Sequence, residues 1–166
     1  MEKKYYIAYG SNLNLEQMRW RCPDAKLIGT GLLPNQKLVF RGGKNSAVAT
    51  VEPSIGDKVP VGIFEISSFD EQSLDRYEGF PHLYTKKYLN IESETVHQQQ
   101  AMMYVMNDGY KIGLPSHQYL KTIEQGYKDC QLDRKYLDEA VEEMKTIIKE
   151  MEMKDKYPLG YKDVRP

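Results

Sequence analysis

No apolar run in this 166-residue chain approaches the roughly 20 residues that cross a bilayer, so no membrane-spanning helix and no membrane partner are expected. An excess of one charge is also missing: 23 basic residues face 24 acidic ones, for a formal net charge of −1. That balance gives no electrostatic reason to expect a nucleic acid or an anionic membrane surface as partner. Cysteine is scarce. Cys22 and Cys130 stand far apart without a CxxC pair, whereas a disulfide scaffold puts more cysteines into a shorter chain. Two buried thiols in a reducing cytoplasm are the expectation. The three histidines, His82, His97 and His117, have neither metal-ligand spacing nor cysteines at useful intervals, so no metal is expected. No GxxxxGK[ST] loop occurs, and no other cofactor is expected. Internal repeats, low-complexity stretches and linkers are absent too, which predicts one domain over residues 1–166. The N-terminal stretch enters a strand-like pattern almost at once and leaves no room for a signal peptide, in keeping with a cytoplasmic protein.

What is present suits a water-soluble domain: 40% of residues are hydrophobic, 28% are charged and the mean hydropathy is −0.65. A chain of this size removes roughly 70% of its unfolded surface from water on folding. Thirteen tyrosines against four phenylalanines predict aromatic surfaces that must also offer hydroxyl groups.

Periodicity gives the order of elements. Tyr5 to Tyr9 reads as a buried strand, broken by Gly10-Ser11-Asn12. A short helix over Leu15 to Arg21 follows, with Asn14 and Gln17 at capping-box spacing and Pro23 as its stop. Leu38 to Phe40, Ala47 to Val51 and Val59 to Ile66 read as strands, separated by Gly42-Gly43 and by Pro53-Ser54-Ile55-Gly56-Asp57. A second helix is expected over about Phe69 to Glu78, with Ser68 and Glu71 as its capping box and Gly79 and Pro81 as its stop. Strands resume at Tyr84 to Ile91 and Gln100 to Met106, and Asn107-Asp108-Gly109 forms a turn. Helices are expected over Ser116 to Tyr127 and about 133–153. In the latter, Leu137, Ala140, Val141, Met144, Ile147, Ile148 and Met151 form a core-facing stripe opposite a mixed Glu/Lys face. The class is α+β: a largely antiparallel sheet or barrel with helices added late.

Two places could carry chemistry. At Tyr9-Gly10-Ser11-Asn12-Leu13 a strand runs into a tight turn and a helix start, where successive backbone N–H groups can hold an anion. The same residues also suit an ordinary strand-to-helix turn, in which Gly and Asn only supply geometry. Ser11 lacks the context of a serine nucleophile. The second place is Leu74-Asp75-Arg76-Tyr77-Glu78-Gly79. Glu78 falls in the last turn of its helix, where the dipole disfavours an anion, and it borders the apolar face through Leu74 and Tyr77. Burial and the dipole would both raise its pKa. A solvent-exposed Glu at a frayed helix end is the equally simple alternative.

Taken in order, these motifs resemble the gamma-glutamylcyclotransferase-like family. Tyr9-Gly10-Ser11-Asn12-Leu13 after an N-terminal strand, Leu74-Asp75 with Glu78-Gly79, and Tyr84 carry the likeness. So do Ala49-Thr50-Val51 with Pro53, Gly56 with Val59, Val61 and Gly62, Met103-Tyr104-Val105-Met106, and Pro115-Ser116 with Gln118-Tyr119. It covers about residues 5–127; the helix over about 133–153 lies outside it. The resemblance implies a small mixed, mostly antiparallel β-barrel flanked by helices, with a pocket at the Tyr9–Leu13 loop. It implies release of an amine or amino acid from a small gamma-glutamyl substrate by cyclisation to 5-oxoproline. Glu78 would be the acid/base, the backbone of Tyr9, Gly10, Ser11, Asn12 and Leu13 would hold the glutamyl moiety, and Tyr84, Tyr104 and Tyr119 would line the pocket.

The substrate of such a reaction carries its own nucleophile, the α-amine, so no catalytic Ser or Cys is needed. The leaving group stays open: an amino acid, a gamma-glutamylamine, a carrier-linked group or the remainder of glutathione all fit. A non-catalytic binding module of the same fold is the rival of another class, and an acid/base at Glu78 argues against it. With neither a ligand cluster nor a nucleotide loop, 5-oxoproline release should survive exhaustive chelation undiminished. Activity lost in EDTA and restored by a divalent ion would sink that expectation.

Overall fold

The computed structural model describes residues 3–92 and 98–157, which form five strands, four helices and one 3-10 turn. Strand β1 (Lys4–Ala8) is central, in the order β2-β3-β1-β5-β4. Its Tyr6, Ile7 and Ala8 are all buried, as a strand covered on both faces requires. It pairs antiparallel with β3 (Ser46–Ile66), Tyr6 opposite Phe64, and parallel with β5 (Gln99–Met106), Tyr6 opposite Met102. Strand β4 (Tyr84–Ile91) closes one side, antiparallel to β5.

Strands β2 (Lys26–Gly43) and β3 are longer than their sequences suggest. Gly42-Gly43 does end a strand, but Pro53 to Asp57 does not. Gln36 pairs with Pro53 and Pro34 with Lys58, so residues 54–57 bulge out opposite Asn35 alone. Asn35 takes a left-handed backbone (φ 56°) and accepts the Gly56 N–H through Oδ1 at 3.0 Å. Turn-forming residues here make an excursion inside one strand, because β2 offers a partner on both sides of it.

The expected barrel is not formed. Strands β2 and β4 lie at opposite edges of the sheet and share no ladder. The far half of the β2–β3 ribbon is instead fastened over the sheet by side chains and a loop. Tyr84 Oη donates to Ala49 O at 2.6 Å, and the Met106 N–H donates to Thr50 Oγ1 at 3.0 Å. The loop supplies Gly113 N to Phe40 O and Leu114 O to Ala47 N, at 3.1 and 3.0 Å. These contacts do locally what a closing ladder would do, and the backbone sheet stays open.

Helix α1 (Leu15–Arg21) starts where expected, with Asn14 Oδ1 accepting the Gln17 N–H at 3.1 Å. Helix α2 (Ser68–Tyr77) starts one residue early. Ser67, not Ser68, is its cap, and Asp70, not Glu71, returns the bond to the Ser67 N–H; both bonds measure 3.1 Å. Asp70 is fully buried, whereas Glu71 reaches sideways to Lys4 and Lys86. Helix α3 (His117–Asp129) is capped by Ser116. Helix α4 (Lys135–Lys156) buries Leu137, Ala140, Val141 and Met144, but Met151 at the end of the stripe is 48% exposed. No described helix is long and apolar enough to cross a membrane.

The corrected cap gives a stability prediction. Asp70→Ala removes a buried cap partner and should cost about 1–3 kcal/mol in urea melts, while Ser68→Ala on the exposed surface should stay within about 0.5 kcal/mol. Equal losses would restore the cap expected from sequence.

Candidate active site

Where β1 ends, Tyr9 and Gly10 lead into the 3-10 turn Ser11–Leu13. The Leu13 N–H is spent on Gly10 O and the Asn14 N–H on Ser11 O, each at 3.0 Å. The amides of Ser11 and Asn12, first in the turn, have no partner within it. Gly10 sits against the ribbon: a Cβ there would lie 3.3 Å from Ala49 Cβ and 3.6 Å from Tyr119 Oη. From the other side α2 delivers Glu78, which is the C-cap itself and not a residue of the last turn. Its N–H bonds Leu74 O at 2.8 Å, and Gly79 (φ 63°) then turns the chain away.

Between these ends lies a cavity of about 120 Å³. Tyr9, Gly10, Ser11, Asn12, Glu78, Tyr84, Tyr104 and Tyr119 all line it, so eight of the nine residues singled out in the sequence meet there. Leu13 does not: its side chain is fully buried in the core and its amide is used inside the turn. Tyr6, Tyr77, Leu83, Val48 and Ala49 line the cavity without having been singled out. For Tyr6 a signal existed, since a tyrosine in a strand buried on both faces needs a partner for its hydroxyl. A larger cavity of about 560 Å³ lies by Arg41, Glu52, Thr85 and Tyr110, but its Arg41 and Glu52 neutralise each other in an ion pair.

The tyrosine hydroxyls divide into two sets. Tyr9 donates to Tyr104 O at 2.6 Å, Tyr84 to Ala49 O at 2.6 Å, and Tyr104 to Asp75 Oδ1 at 2.5 Å. Their protons are committed to holding the walls. Tyr119 instead accepts the Ala49 N–H at 3.0 Å, and Tyr6 accepts from Asn12 Nδ2 at 2.8 Å. Nothing among the described residues accepts their protons, so both O–H groups can donate to a ligand. Ser11 Oγ shares a hydrogen bond with Tyr77 Oη at 3.3 Å and has no imidazole beside it.

Among the described residues Glu78 is the one carboxylate that lines the cavity. Burial pushes its pKa up to about 7, against a smaller opposing pull from the Arg21 guanidinium. Its hydrogen-bond donor is Asn12 Nδ2, at 3.4 Å. Burial also drives the phenols of Tyr6, Tyr9, Tyr84, Tyr104 and Tyr119 well above their usual range, so they stay neutral donors. No Lys or Arg among the described residues lines the cavity. Among the described residues no three His, Cys, Asp or Glu side chains gather as a metal site; His97 lies outside them. The arrangement is a small polar chamber with one carboxylate that changes charge near neutrality.

Comparison with known proteins places these features in context. The family model "Gamma-glutamyl cyclotransferase, AIG2-like" matches residues 6–127. A human protein named gamma-glutamylcyclotransferase is 31% identical over 143 residues, covering 81% of this chain and 76% of its own. The mouse protein of that name is 31% identical over 169 residues, covering 90% and 89%. A solved structure of a gamma-glutamyl cyclotransferase superposes with a TM-score of 0.74 at 28% identity, covering 90% of this chain and 99% of its own.

The tight seat of Gly10 yields a prediction for the chamber. Gly10→Val would press on Ala49 and Tyr119 and fill the approach to the Ser11 and Asn12 amides. Binding of 5-oxoproline, measured by calorimetry, should weaken at least about tenfold, the effect of misplacing one good polar contact, while the fold persists. Unchanged affinity in the folded variant would move the ligand site elsewhere.

Proposed function

This chain belongs to the gamma-glutamyl cyclotransferase, AIG2-like family, and on that premise we propose that Glu78 is the proton-transfer group with which it performs the family's reaction. The class of enzyme follows from relationship: relatives named for the activity share 31% identity over most of the chain. The activity is release of an amine or amino acid from a gamma-glutamyl compound with formation of 5-oxoproline. The observation that carries the role of Glu78 is its carboxylate, raised to about 7 by burial, beside the Ser11–Leu13 turn.

The proton ledger shows why that value suits the reaction. The α-amine arrives as an ammonium with a pKa of about 8, and an ordinary Glu near 4.3 would take its proton at a cost of roughly 5 kcal/mol. A carboxylate at about 7 reduces the mismatch to roughly 1.4 kcal/mol. Glu78 accepts the proton, and the amine nitrogen attacks the γ-carbonyl carbon to close a five-membered ring. The carbonyl π pair moves to oxygen, then returns as the bond to the departing nitrogen breaks. Glu78 gives its proton to that nitrogen, takes the second proton from the ring nitrogen and passes it on to the released amine, leaving 5-oxoproline, an ammonium and the carboxylate as it began. The chamber holds amine and carbonyl together, and well-oriented intramolecular reactions gain on the order of 7–11 kcal/mol in this way. The Ser11 and Asn12 amides and the Tyr6 and Tyr119 hydroxyls are the available donors for the substrate carboxylate and the developing oxyanion. The buried, unpaired Cys22 and Cys130 favour a reducing, cytoplasmic setting for this chemistry.

Glu78→Gln tests this reading. Turnover, read as 5-oxoproline release from a panel of gamma-glutamyl compounds, should fall by at least about 10²–10⁴-fold, the usual worth of general acid–base catalysis. The pH dependence of stability supplies a second readout. Glu78 has a folded pKa above its unfolded value, so the wild-type fold is penalised once pH rises from the unfolded pKa through about 7. The Gln variant should therefore melt higher than wild type at pH 8, with the difference fading by about pH 4–5. Glu65→Gln serves as control; Glu71 does not, because it is paired with Lys4 and Lys86. Near-wild-type turnover in folded Glu78→Gln would falsify the assignment.

A further inference from the structure

We infer that Arg21, outside the chamber's lining, is a positioning residue that sets the orientation of Asn12 and through it the hydrogen bond that Asn12 offers to Glu78. The inference rests on the reading of Glu78 as the acid/base. Arg21 closes α1, and its guanidinium is held on three sides. Nη1 donates to Asn12 Oδ1, Nη2 donates to Gln17 Oε1 at 2.8 Å, and the carbon lies 3.4 Å above the centre of the Tyr77 ring.

An asparagine amide has two ends of similar shape and opposite polarity. Arginine only donates, so Arg21 fixes which end of Asn12 is the oxygen. The nitrogen then faces inward with both hydrogens, one to Tyr6 Oη at 2.8 Å and one toward Glu78 Oε1 at 3.4 Å. The flipped amide would set Oδ1 against the Glu78 carboxylate and leave Arg21 facing two N–H donors. With the observed orientation Tyr6 Oη acts as an acceptor, which keeps its proton available to the substrate.

Arg21 is also the charged group felt by Glu78. The other titratable groups that line the chamber are the phenols of Tyr6 from β1, Tyr9 just after it, Tyr77 from α2, Tyr84 from β4, Tyr104 from β5 and Tyr119 from α3. Both effects of Arg21 favour the carboxylate over the acid: the guanidinium by its charge, Asn12 by its N–H. Removing Arg21 therefore raises the Glu78 pKa and leaves less base at neutral pH.

The test measures 5-oxoproline release against pH, beside thermal melts, for Arg21→Met and Arg21→Lys, each with Asn12 intact and with Asn12→Ala. In Arg21→Met the acidic limb of kcat/KM should move up by about one pH unit and kcat at pH 7 fall about tenfold, with KM changed less than about threefold. Arg21→Lys should return the limb most of the way, since it keeps the charge, and with it the part of kcat lost to protonation. It should still leave kcat on the high-pH plateau below wild type, because an ammonium cannot reproduce the fork. With Asn12→Ala present, Arg21→Met should cost clearly less than it does with Asn12 intact, as expected of residues acting in series. An unmoved limb with normal kcat, or an equal loss in both backgrounds, overturns the proposal. Should Arg21→Met melt below the assay temperature, Arg21→Lys carries the same comparison between backgrounds. Glu78→Gln runs alongside: if that variant keeps turnover and the acidic limb, the reading of Glu78 fails. If it loses both while Arg21→Met behaves as wild type, only the role of Arg21 is refuted.

Discussion

The placement of α2 is the constraint on which the site depends, and a cluster of ionic bonds sets it. Lys86 of β4 donates to Glu71 at 2.7 Å and to Asp75 at 3.1 Å, while Lys4 of β1 bonds the other oxygen of Glu71 at 2.6 Å. Tyr104 of β5 completes the set through its bond to Asp75. Three neighbouring strands thus grip successive turns of one face of α2. Because the helix is held there, its C-cap falls at the end of β1 and Glu78 lies against the chamber. The two glutamates of this region then behave oppositely. Burial works to raise Glu71, but the hydrogen bonds and charges of two lysines outweigh it and the net shift is downward. Glu78 has burial without a lysine, and its shift is upward. Paired carboxylates fix the helix so that one unpaired carboxylate can be held out of water.

The abundance of tyrosine follows from the same need. A chamber that binds a polar substrate yet raises a carboxylate's pKa cannot be lined with lysine or arginine, whose charge would hold Glu78 ionised. Phenols supply polar atoms without charge, and burial keeps them protonated. Three of them serve the frame: Tyr9 binds the β5 backbone, Tyr84 the ribbon and Tyr104 helix α2. Phenylalanine could fill the same volume at those positions but would leave Ala49 O and Tyr104 O without their donors. Tyr84 also shows how the open sheet is closed over the chamber. Together with Tyr119 it holds both polar groups of Ala49, so the ribbon meets the pocket wall through side chains.

Legibility in the sequence followed the range of the interaction. Helix α1 was readable to the residue because its cap, its stop and its periodicity are all local. The start of α2 was misplaced by one residue because Ser67-x-x-Asp70 and Ser68-x-x-Glu71 are both adjacent, plausible boxes. What separates them is the burial of Asp70, where it also meets the Asp24 N–H, a contact made across the fold. Pro53 to Asp57 read as a break because those residue types make turns, and only the pairing of β2 on both sides shows an excursion. The Tyr9–Asn12 loop and Glu78 were legible through their motifs. Arg21 was not: a basic residue in the last turn of a helix is what the helix dipole alone favours. Its contact with Asn12 depends on the way the 3-10 turn folds back over α1.

The chamber's proton inventory suits the reaction proposed for it. Among the described residues that line the cavity, the phenols stay protonated near neutral pH, none is a lysine or arginine, and Glu78 is the group whose charge can change. A site that hydrolyses through a serine or cysteine needs a nucleophile, a base to activate it and a group to orient the base. Cyclisation needs less, because the substrate brings the nucleophile and the departing nitrogen takes up the two protons the attacking one gives up. One carboxylate can serve both transfers if the two nitrogens lie within its reach and its pKa sits between its own solution value and that of an amine. Burial provides the rise and the Arg21 guanidinium opposes it; in the proposed cycle a carboxylate raised much further would arrive already protonated and could not accept the first proton.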